Sequence, residues 1–357
     1  MSNLDQAVRF AIQEIAVGPD RGRNIDAQIA EQVMQGILAG EVDDVQAAVI
    51  LIALRMKRES TDEMRGLTRA AQSLVRVQTA DVESLVTLAD PFDGYSRTVT
   101  LSAFIPCVLA AMDVPTVMHG CNSVGPKFGV TAQQVLSKAG VYDVESPLRA
   151  ARDVEGRGWA YTDQRHYAPE LYSLIALRNK IIKRTALTTL ERVLMPVKAR
   201  KQNQLALGYV HKAYPEIYAS IAAEVGFDAI HLSKGIEGGL MVAMNKPFAR
   251  YSACLAKQNF ALTHESFDHF EGRQAVPTFK SSEGNDMSTR EQQVEQCLDV
   301  GLSVLRGAKS PSRDALVVAT ANILSAVKPQ IGFTDAVVKA SSCIDNGSAL
   351  ERFMAST

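Results

Sequence analysis

The sequence predicts an α/β protein with an α-helical N-terminal domain and a mainly parallel central sheet flanked by helices. Residues 1–78 contain four helix patterns and no strand pattern, which is typical of a small helical domain. From residue 79 onward, short apolar strands alternate with loops and helices, as they do in parallel sheets. We therefore expect a helical bundle at 1–78, joined by helices around 171–195, and an α/β domain at 79–357.

The N-terminal helices have recognisable start signals. Apolar residues at helical spacing predict a first helix at 3–17, and Asp26 suits the N-cap of a second. The third, around Val45–Leu54, is apolar on most sides and should be buried. Ser60 and Glu63 have the spacing of a capping box and predict the start of a fourth helix.

The α/β part begins with a strand, a loop, a helix and a second strand. We predict the strands at Leu85–Ala89 and Val114–Met118, with the helix at Thr100–Met112 between them. Leu171–Met195 is expected to be helical. Further strands are predicted at Leu205–Val210 and Asp228–Leu232. The remaining predictions are a helix from Tyr214, a loop at Lys280–Asp286, and helices at 289–305, 311–326, 333–342 and 346–354.

Three loops follow predicted strands, at 90–98, 119–129 and 233–239. Ligands of parallel sheets bind at the carboxyl ends of the strands, so we expect the three loops to line one cleft. The first loop offers Asp93 and Gly94, and the helix after it begins with hydroxyl groups that suit either a phosphate or an ordinary helix cap.

The 119–129 loop is rich in glycine and precedes a predicted helix. Such a connection directs backbone N–H groups and a helix N-terminus at an anion, although ordinary connections look similar. Asn122, Ser123 and Lys127 add the side-chain donors that phosphate needs. In the 233–239 loop, the Glu237 carboxylate is a candidate Mg²⁺ ligand or a solvated turn residue.

Net charge, cysteine spacing and the distribution of apolar residues exclude several classes of protein. The net charge of the 357 residues is -1, so no global basic field favours nucleic acid or membranes. The five cysteines form no CxxC pair, which argues against disulfides or zinc and for a reducing compartment. The N-terminus has no signal-peptide pattern, and no apolar run approaches the ~18 residues of a membrane span. We expect a cytoplasmic protein without membrane contact.

Residues 149–201 are locally basic, with twelve Lys and Arg residues against five acidic ones. Four aromatic residues lie among them, as stacking on single-stranded nucleic acid would require. A solvated surface is the usual explanation of such a segment, but it could also contact a phosphorylated ligand or a nucleic acid.

Four segments together resemble one enzyme family, the anthranilate phosphoribosyltransferases of the nucleoside phosphorylase/phosphoribosyltransferase fold. The N-terminal LAGEVDDVQAAVILIALRMKRESTDEMRGLTRA is similar to the family's helical entry. His119-Gly120, with Ser123 and Lys127, resembles its K-H-G-N-R-S-x-S-S-K-x-G loop. Arg178 followed by Arg184-Thr185 resembles R-x-x-L-G-x-R-T, and Gly208–His211 with Tyr214 resembles G-V-x-H-x-x-Y.

The resemblance implies a homodimer joined through the helical domain and a cleft that binds phosphoribosyl pyrophosphate with Mg²⁺. It implies pentosyl transfer from phosphoribosyl pyrophosphate, or a related phosphosugar, to an aromatic acceptor. In that interpretation Ser102 and Glu237 hold the metal and Arg178 binds the acceptor's carboxylate or another anion. The substrate-binding set comprises Asp93, Gly94, Thr100, Ser102, His119, Gly120, Asn122, Ser123, Lys127 and Arg178.

The chain departs from the family pattern at the diphosphate and metal motifs. Asp90–Gly94 stands where the family has G-T-G-G-D, and Met118 replaces the lysine before His-Gly. Glu237-Gly238 stands where the family has a metal-binding Asp-Glu pair. Two functions follow from the sequence: a transferase with degenerate motifs and an unidentified acceptor, or a non-catalytic nucleic-acid-binding protein of the same fold.

Overall fold

A computed structural model describes residues 2–18, 20–141, 146–255, 260–268, 276–279 and 289–355. The N-terminal part is a helical bundle, as predicted. Its helices are α1 (Asn3–Ile15), α2 (Ala27–Leu38), α3 (Asp44–Lys57) and α4 (Thr61–Ser73). Asp26 caps α2, and Ser60 forms a capping box with Glu63 at the start of α4, so both predicted start signals are confirmed.

The α/β part contains nine described strands. They are β1 (Gln78–Thr79), β2 (Ser84–Ala89), β3 (Thr116–Gly120), β4 (Trp159–Asp163), β5 (Val197–Lys198), β6 (Gln202–Tyr209), β7 (Ala229–Lys234), β8 (Phe248–Cys254) and β9 (Thr263–Phe267). Seven of them form one sheet in the order β4-β3-β2-β6-β7-β8-β9. The first four neighbouring pairs are parallel and the last two are antiparallel, so the sheet is mainly parallel, as expected.

Helices cover the sheet on both sides. They are α5 (Ile105–Ala110), α6 (Ala132–Lys138), α7 (Pro147–Arg157), α8 (Gln164–Tyr167), α9 (Pro169–Ser173), α10 (Ile175–Ile181), α11 (Leu187–Leu190), α12 (Tyr214–Val225), α13 (Arg290–Leu305), α14 (Pro311–Val327), α15 (Phe333–Asp345) and α16 (Ser348–Met354). Short 3-10 turns occur at Ser102–Phe104, Glu191–Val193 and Ile236–Gly238.

Because side chains alternate along the strands, the hydrophobic core has two parts, one on each side of the sheet. Leu205 and Leu207 of β6 belong to the core formed by the bundle and α12. Ala206, between them, packs with α5, α6 and the C-terminal helices on the other side. Since successive strand residues point to opposite faces, one strand serves both cores.

Several element boundaries differ from the prediction. The strand predicted at Val114–Met118 is β3, which runs to Gly120. His119 and Gly120 are therefore strand residues rather than loop residues. The predicted helix at Leu171–Met195 is instead three short helices and a 3-10 turn, since Ile182 ends α10 in a left-handed conformation with φ of 62°. The predicted helix at Thr100–Met112 is shorter and begins as a 3-10 turn. The predicted loop at Lys280–Asp286 lies outside the described residues.

The contact between α2 and α4 depends on Gly66, and we predict that Gly66→Ala destabilises the protein. The added Cβ would collide with the Ala27 carbonyl oxygen, and such overpacking costs about 1–3 kcal/mol in the free energy of unfolding. Urea unfolding followed by circular dichroism measures the change. Gly156→Ala in α7 is the matched control, because nothing lies within 4 Å of its new methyl group and stability should rise slightly. Equal losses at both positions would contradict this account of the packing.

Candidate functional site

The first two predicted loops meet through their backbones. A Cβ on Gly94 would lie 2.5 Å from the Gly129 carbonyl, so only glycine allows this approach, and Gly94 also has φ of 69°. The Gly129 N–H donates to the Asp93 carbonyl at 2.7 Å. Tyr95 and Val130 exchange both of their backbone hydrogen bonds, at 2.7 and 2.8 Å. The loops at 90–98 and 119–129 are therefore held as one unit.

The third loop joins this unit around the Asp90 carboxylate. Asp90 Oδ1 accepts hydrogen bonds from the Tyr95 hydroxyl and the Leu240 N–H, each at 2.9 Å. Burial raises the pKa of Asp90, while Ser102, Leu240 and Tyr95 oppose that rise. A Cβ on Gly239 would collide with the Tyr95 hydroxyl. All three loops therefore converge at one edge of the sheet.

Glu237 makes the most extensive polar contacts among the described loop residues. Its Oε1 accepts the N–H groups of Arg97 and Thr98, both at 3.1 Å. Its Oε2 accepts the N–H and the hydroxyl of Ser96, at 3.1 and 3.2 Å, and the Lys127 ammonium at 3.1 Å. The backbone of the first loop thus forms an anion receptor, and the Glu237 carboxylate lies in it.

These donors fix the charge of Glu237. Partial burial opposes ionisation, but the Ser96 N–H, the Lys127 ammonium and the Arg97 N–H outweigh it and hold the pKa of Glu237 at about 2. The side chain is only 3% exposed. Glu237 is therefore a carboxylate at any physiological pH.

The expected Mg²⁺ site at Ser102 and Glu237 does not fit these contacts. Both Glu237 oxygens already accept two or three donors, which leaves no lone pair directed at a metal ion. Ser102 is fully buried and shares a hydrogen bond of 2.9 Å with Thr100. No cluster of three potential metal-binding side chains occurs among the described residues.

His119 and Gly120 lie beneath the cleft rather than in it. His119 is 1% exposed, and its Nδ1 lies 2.9 Å from the Tyr167 hydroxyl. Burial and the nearby Arg192 lower the pKa of His119 to about 3, so the ring stays neutral. The Tyr161 hydroxyl lies 2.8 Å from where a Cβ on Gly120 would be. Both residues support the loop from below.

The other predicted binding residues of the second loop differ in burial and in their hydrogen-bond partners. Asn122 accepts the Ser123 N–H at 2.7 Å, which is a local turn contact, and its side chain is exposed. The Ser123 hydroxyl is buried without a described hydrogen-bond partner. Lys127 pairs with Glu237 and lies 3.9 Å from Asp93. Lys127 is thus the residue of this loop that reaches the anion receptor.

A cleft between the bundle and the α/β domain opens beside the receptor, with an empty volume of about 700 Å³ that includes its mouth. Asp93 lies in its wall and pairs with Arg184 at 2.6 Å. Further lining residues lie outside the three loops: Arg55, Glu191, Arg192, Tyr209, His211, Tyr214 and Tyr218. Tyr209, His211 and Tyr214 belong to the G-V-x-H-x-x-Y segment, but no binding role was assigned to any of the seven from the sequence. They come from α3, the 3-10 turn at Glu191–Val193, β6, the connection after it and α12.

Arg192 fixes the floor of the cleft. It is 4% exposed and donates at 3.0 Å to the carbonyls of Ala89 and Gly238 and to the Tyr218 hydroxyl. Its guanidinium also lies 5.5 Å from the Tyr218 ring centre. It joins the end of β2, the third loop and α12.

Arg178 differs from its expected role. It is buried and forms a two-point ion pair with Glu191, at 2.6 and 3.1 Å. Burial raises the pKa of Glu191, and the Arg178 charge opposes that rise. The guanidinium is therefore already neutralised by the chain itself and is not available to an acceptor's carboxylate in this arrangement.

Two family models cover most of the chain. The helical bundle domain of a glycosyl transferase family matches residues 11–74, and the a/b domain of the same family matches residues 93–350. The second match alone spans more than half of the sequence. The chain belongs to this glycosyl transferase family.

Relatives of the chain include anthranilate phosphoribosyltransferases at low identity. The enzyme of Methanobrevibacter smithii is 25% identical over 346 residues, covering 96% of this chain and 98% of that protein. That of Thermomicrobium roseum is 24% identical over 336 residues, covering 93% and 92%. The chain is therefore a divergent relative of the anthranilate phosphoribosyltransferases.

Solved structures share the fold. The anthranilate phosphoribosyltransferase of Thermus thermophilus superposes with a TM-score of 0.73 at 20% identity, covering 98% of this chain and 97% of that one. The Saccharomyces cerevisiae enzyme in complex with PRPP and Mg gives a TM-score of 0.73 at 14% identity, covering 97% and 96%. The predicted α/β fold with a helical N-terminal domain is confirmed.

Most cations of the basic segment at 149–201 form ion pairs within the chain. Eight of the twelve cations at 149–201 form ion pairs: Arg149, Arg157, Arg165, Arg178, Lys180, Arg184, Arg200 and Lys201. Their partners belong to several elements, from Asp44 in α3 to Glu191 in the cleft. Within the described part of the chain, no helix is both long and apolar enough to cross a membrane.

The contact between Glu237 and the first loop predicts a pH-dependent contribution to stability. The folded-state pKa of about 2 lies below the ordinary 4.5, so the contribution is complete above pH 4.5 and is lost as pH falls towards 2. We expect wild type to be more stable than Glu237→Gln at pH 7, with the difference shrinking between pH 5 and 3. Urea unfolding of both proteins across this range measures it. A difference that is constant with pH would show that the carboxylate's charge contributes nothing.

Proposed function

We propose that this protein binds phosphoribosyl pyrophosphate, or a related phosphosugar, in the cleft between the bundle and the α/β domain. It then transfers the pentosyl group to a nitrogen of an aromatic acceptor. The nitrogen forms a bond to C1 of the sugar, the bond from C1 to the diphosphate oxygen breaks, and the nitrogen loses a proton. Membership of a phosphoribosyltransferase family supports the reaction class.

The anion receptor at Ser96–Thr98 is the observation that carries this proposal. Three consecutive N–H groups and Lys127 already hold a carboxylate, and the same donors suit a phosphate. Arg184 lines the adjoining cleft with its side chain about half exposed, so a phosphate could exchange with Asp93 for its guanidinium. The buried Arg192 adds positive charge beneath the floor of the cleft. Charge of this kind stabilises a diphosphate leaving group as it develops in the transition state.

The other side of the cleft suits a flat acceptor. Tyr209, Tyr214 and Tyr218 line it. Tyr214 is partly exposed and offers its ring to the cleft, whereas Tyr209 and Tyr218 are 3% and 5% exposed and pack behind it in the core. Aromatic side chains offer broad apolar faces for stacking. Because Arg178 is paired with Glu191, we propose an acceptor other than anthranilate. Mg²⁺ accompanies PRPP in the yeast relative's structure. We assign it no step here, because both oxygens of Glu237 already accept protein donors.

Calorimetry with phosphoribosyl pyrophosphate, in the presence and absence of Mg²⁺, tests the proposal. We expect saturable binding, weakened about tenfold or more in Arg184→Gln because a charge-assisted contact contributes roughly 1.5–3 kcal/mol. Arg149→Gln is the matched control, since its exposed side chain pairs with Asp153 on α7. Pyrophosphate release with a panel of aromatic amines, anthranilate included, then identifies the acceptor. No heat at millimolar phosphoribosyl pyrophosphate would rule out the transferase function.

We also propose a homodimer formed through the helical bundle. Phe10 of α1 is 46% exposed, and Val45 and Met56 of α3 are 70% and 66% exposed. Large exposed apolar side chains are typical of association surfaces. Nucleic-acid binding stays a prediction of the sequence alone, because most cations of the basic segment are engaged within the chain.

Sedimentation velocity tests the dimer. We expect wild type to sediment as a dimer and Val45→Glu to shift towards monomer, since a buried unpaired carboxylate is unfavourable at an apolar interface. Val338→Glu is the matched control, because Val338 of α15 is 59% exposed but lies outside the bundle. A monomeric wild type, or equal dissociation of both variants, would argue against this interface.

A further inference from the structure

Glu237 is held in a conformation that its own backbone disfavours. Its φ is 52°, in the left-handed region that glycine adopts readily and a glutamate does not. Gly238 beside it has φ of 85°. Unfavourable backbone conformations persist only where surrounding contacts impose them, and they are frequent at binding sites. The contacts made by the Glu237 carboxylate must therefore outweigh this cost.

Those contacts are the ones an anionic ligand would make. The carboxylate accepts five donors from Ser96, Arg97, Thr98 and Lys127, through both of its oxygens. Glu237 is one of the lining residues of the interdomain cleft, whereas its donors at 96–98 and Lys127 are not, so the carboxylate separates the receptor from the cleft. A ligand phosphate and the Glu237 carboxylate cannot occupy the receptor together.

We propose that Glu237 is a built-in competitor for phosphate: its carboxylate fills the receptor at Ser96–Thr98 and sets the affinity of the cleft for phosphorylated ligands. This inference rests on the proposed function in one respect, the use of the cleft by a phosphosugar. A ligand must displace Glu237 before it reaches the three N–H groups and Lys127. Its apparent affinity is therefore its intrinsic affinity multiplied by the fraction of molecules in which the receptor is free.

The competition lowers the affinity of every phosphate ligand of the receptor by the same factor. A single phosphate exchanges with the Glu237 carboxylate at the receptor alone. A diphosphate brings a second phosphate group, which would contact the half-exposed Arg184 in the adjoining cleft. Glu237 is therefore an affinity-setting residue, and the preference for two linked phosphates comes from the cleft.

The test measures binding of inorganic pyrophosphate and inorganic phosphate to wild type, Glu237→Gln and Glu237→Asp by calorimetry. Gln removes the charge. Asp keeps the charge, but its shorter side chain cannot reach the receptor, where the present contacts are already 3.1–3.2 Å. We expect both variants to bind pyrophosphate about tenfold or more tightly than wild type. Phosphate affinity should rise by the same factor, so that the ratio of pyrophosphate to phosphate affinity stays unchanged, because both ligands displace the same carboxylate.

One control variant and one substitute variant complete the experiment. Glu224→Gln removes the same charge outside the cleft, from a glutamate that pairs with Arg65 and Arg69, and should bind like wild type. If Glu237→Gln does not fold, Glu237→Gly takes its place, because glycine suits the positive φ.

Tightening in Glu237→Gln but not in Glu237→Asp would reduce the effect to net charge and overturn the proposal. Unchanged affinity in both variants, or no pyrophosphate binding by any of the proteins, would overturn it as well. The result is independent of catalysis: the variants can gain pyrophosphate affinity even if no acceptor is ever modified. Conversely, wild type can bind phosphoribosyl pyrophosphate while the variants gain nothing, in which case only the competitor is lost.

Discussion

The close approach of three backbones at Gly94, Gly129 and Gly239 is the constraint on which the site depends. Each glycine occupies a position where a Cβ would meet another loop within 2.6 Å. The buried Asp90 carboxylate adds hydrogen bonds to Tyr95 and Leu240, which tie the first loop to the residues after the third. With the loops fixed in this way, the N–H groups of 96–98 all point at one place, and the anion receptor results.

Three cations in and around the cleft are neutralised by carboxylates of the same chain. Lys127 pairs with Glu237, Arg184 with Asp93 and Arg178 with Glu191. These three cations therefore already have carboxylate partners before any anionic substrate arrives. Binding at them exchanges one ion pair for another rather than creating a new one, so selectivity must come from the number and spacing of the ligand's charges.

The fold could be predicted from the sequence to a large extent, because helix caps and apolar periodicity are local signals. The capping residues Asp26 and Ser60 are in place, and the three loops converge as expected. The broken helix after Leu171 could not be foreseen, since its sequence up to Leu194 contains no glycine or proline and the break at Ile182 accompanies ion pairs formed by Arg178 and Arg184. Strands β1, β4, β5, β8 and β9 were missed.

The site was less predictable than the fold. Lys127 and Glu237 were found from their loops, but their mutual pairing follows from tertiary contact alone. Arg55, Arg192 and Tyr218 were not singled out, because they come together only when distant segments pack. Tyr209 and Tyr214 were noted only as part of a motif, without a place in the cleft. His119 has a motif, yet it is buried and neutral, because the strand continues two residues further than the pattern indicated.

Arg192 has a mechanical consequence. One guanidinium links the end of β2, the loop carrying Gly238 and the Tyr218 hydroxyl of α12. Helix α12 is tied in turn to α4 through Glu224 with Arg65 and Arg69. The position of the Gly238 loop is therefore fixed relative to the helical bundle through α12, and not by the sheet alone.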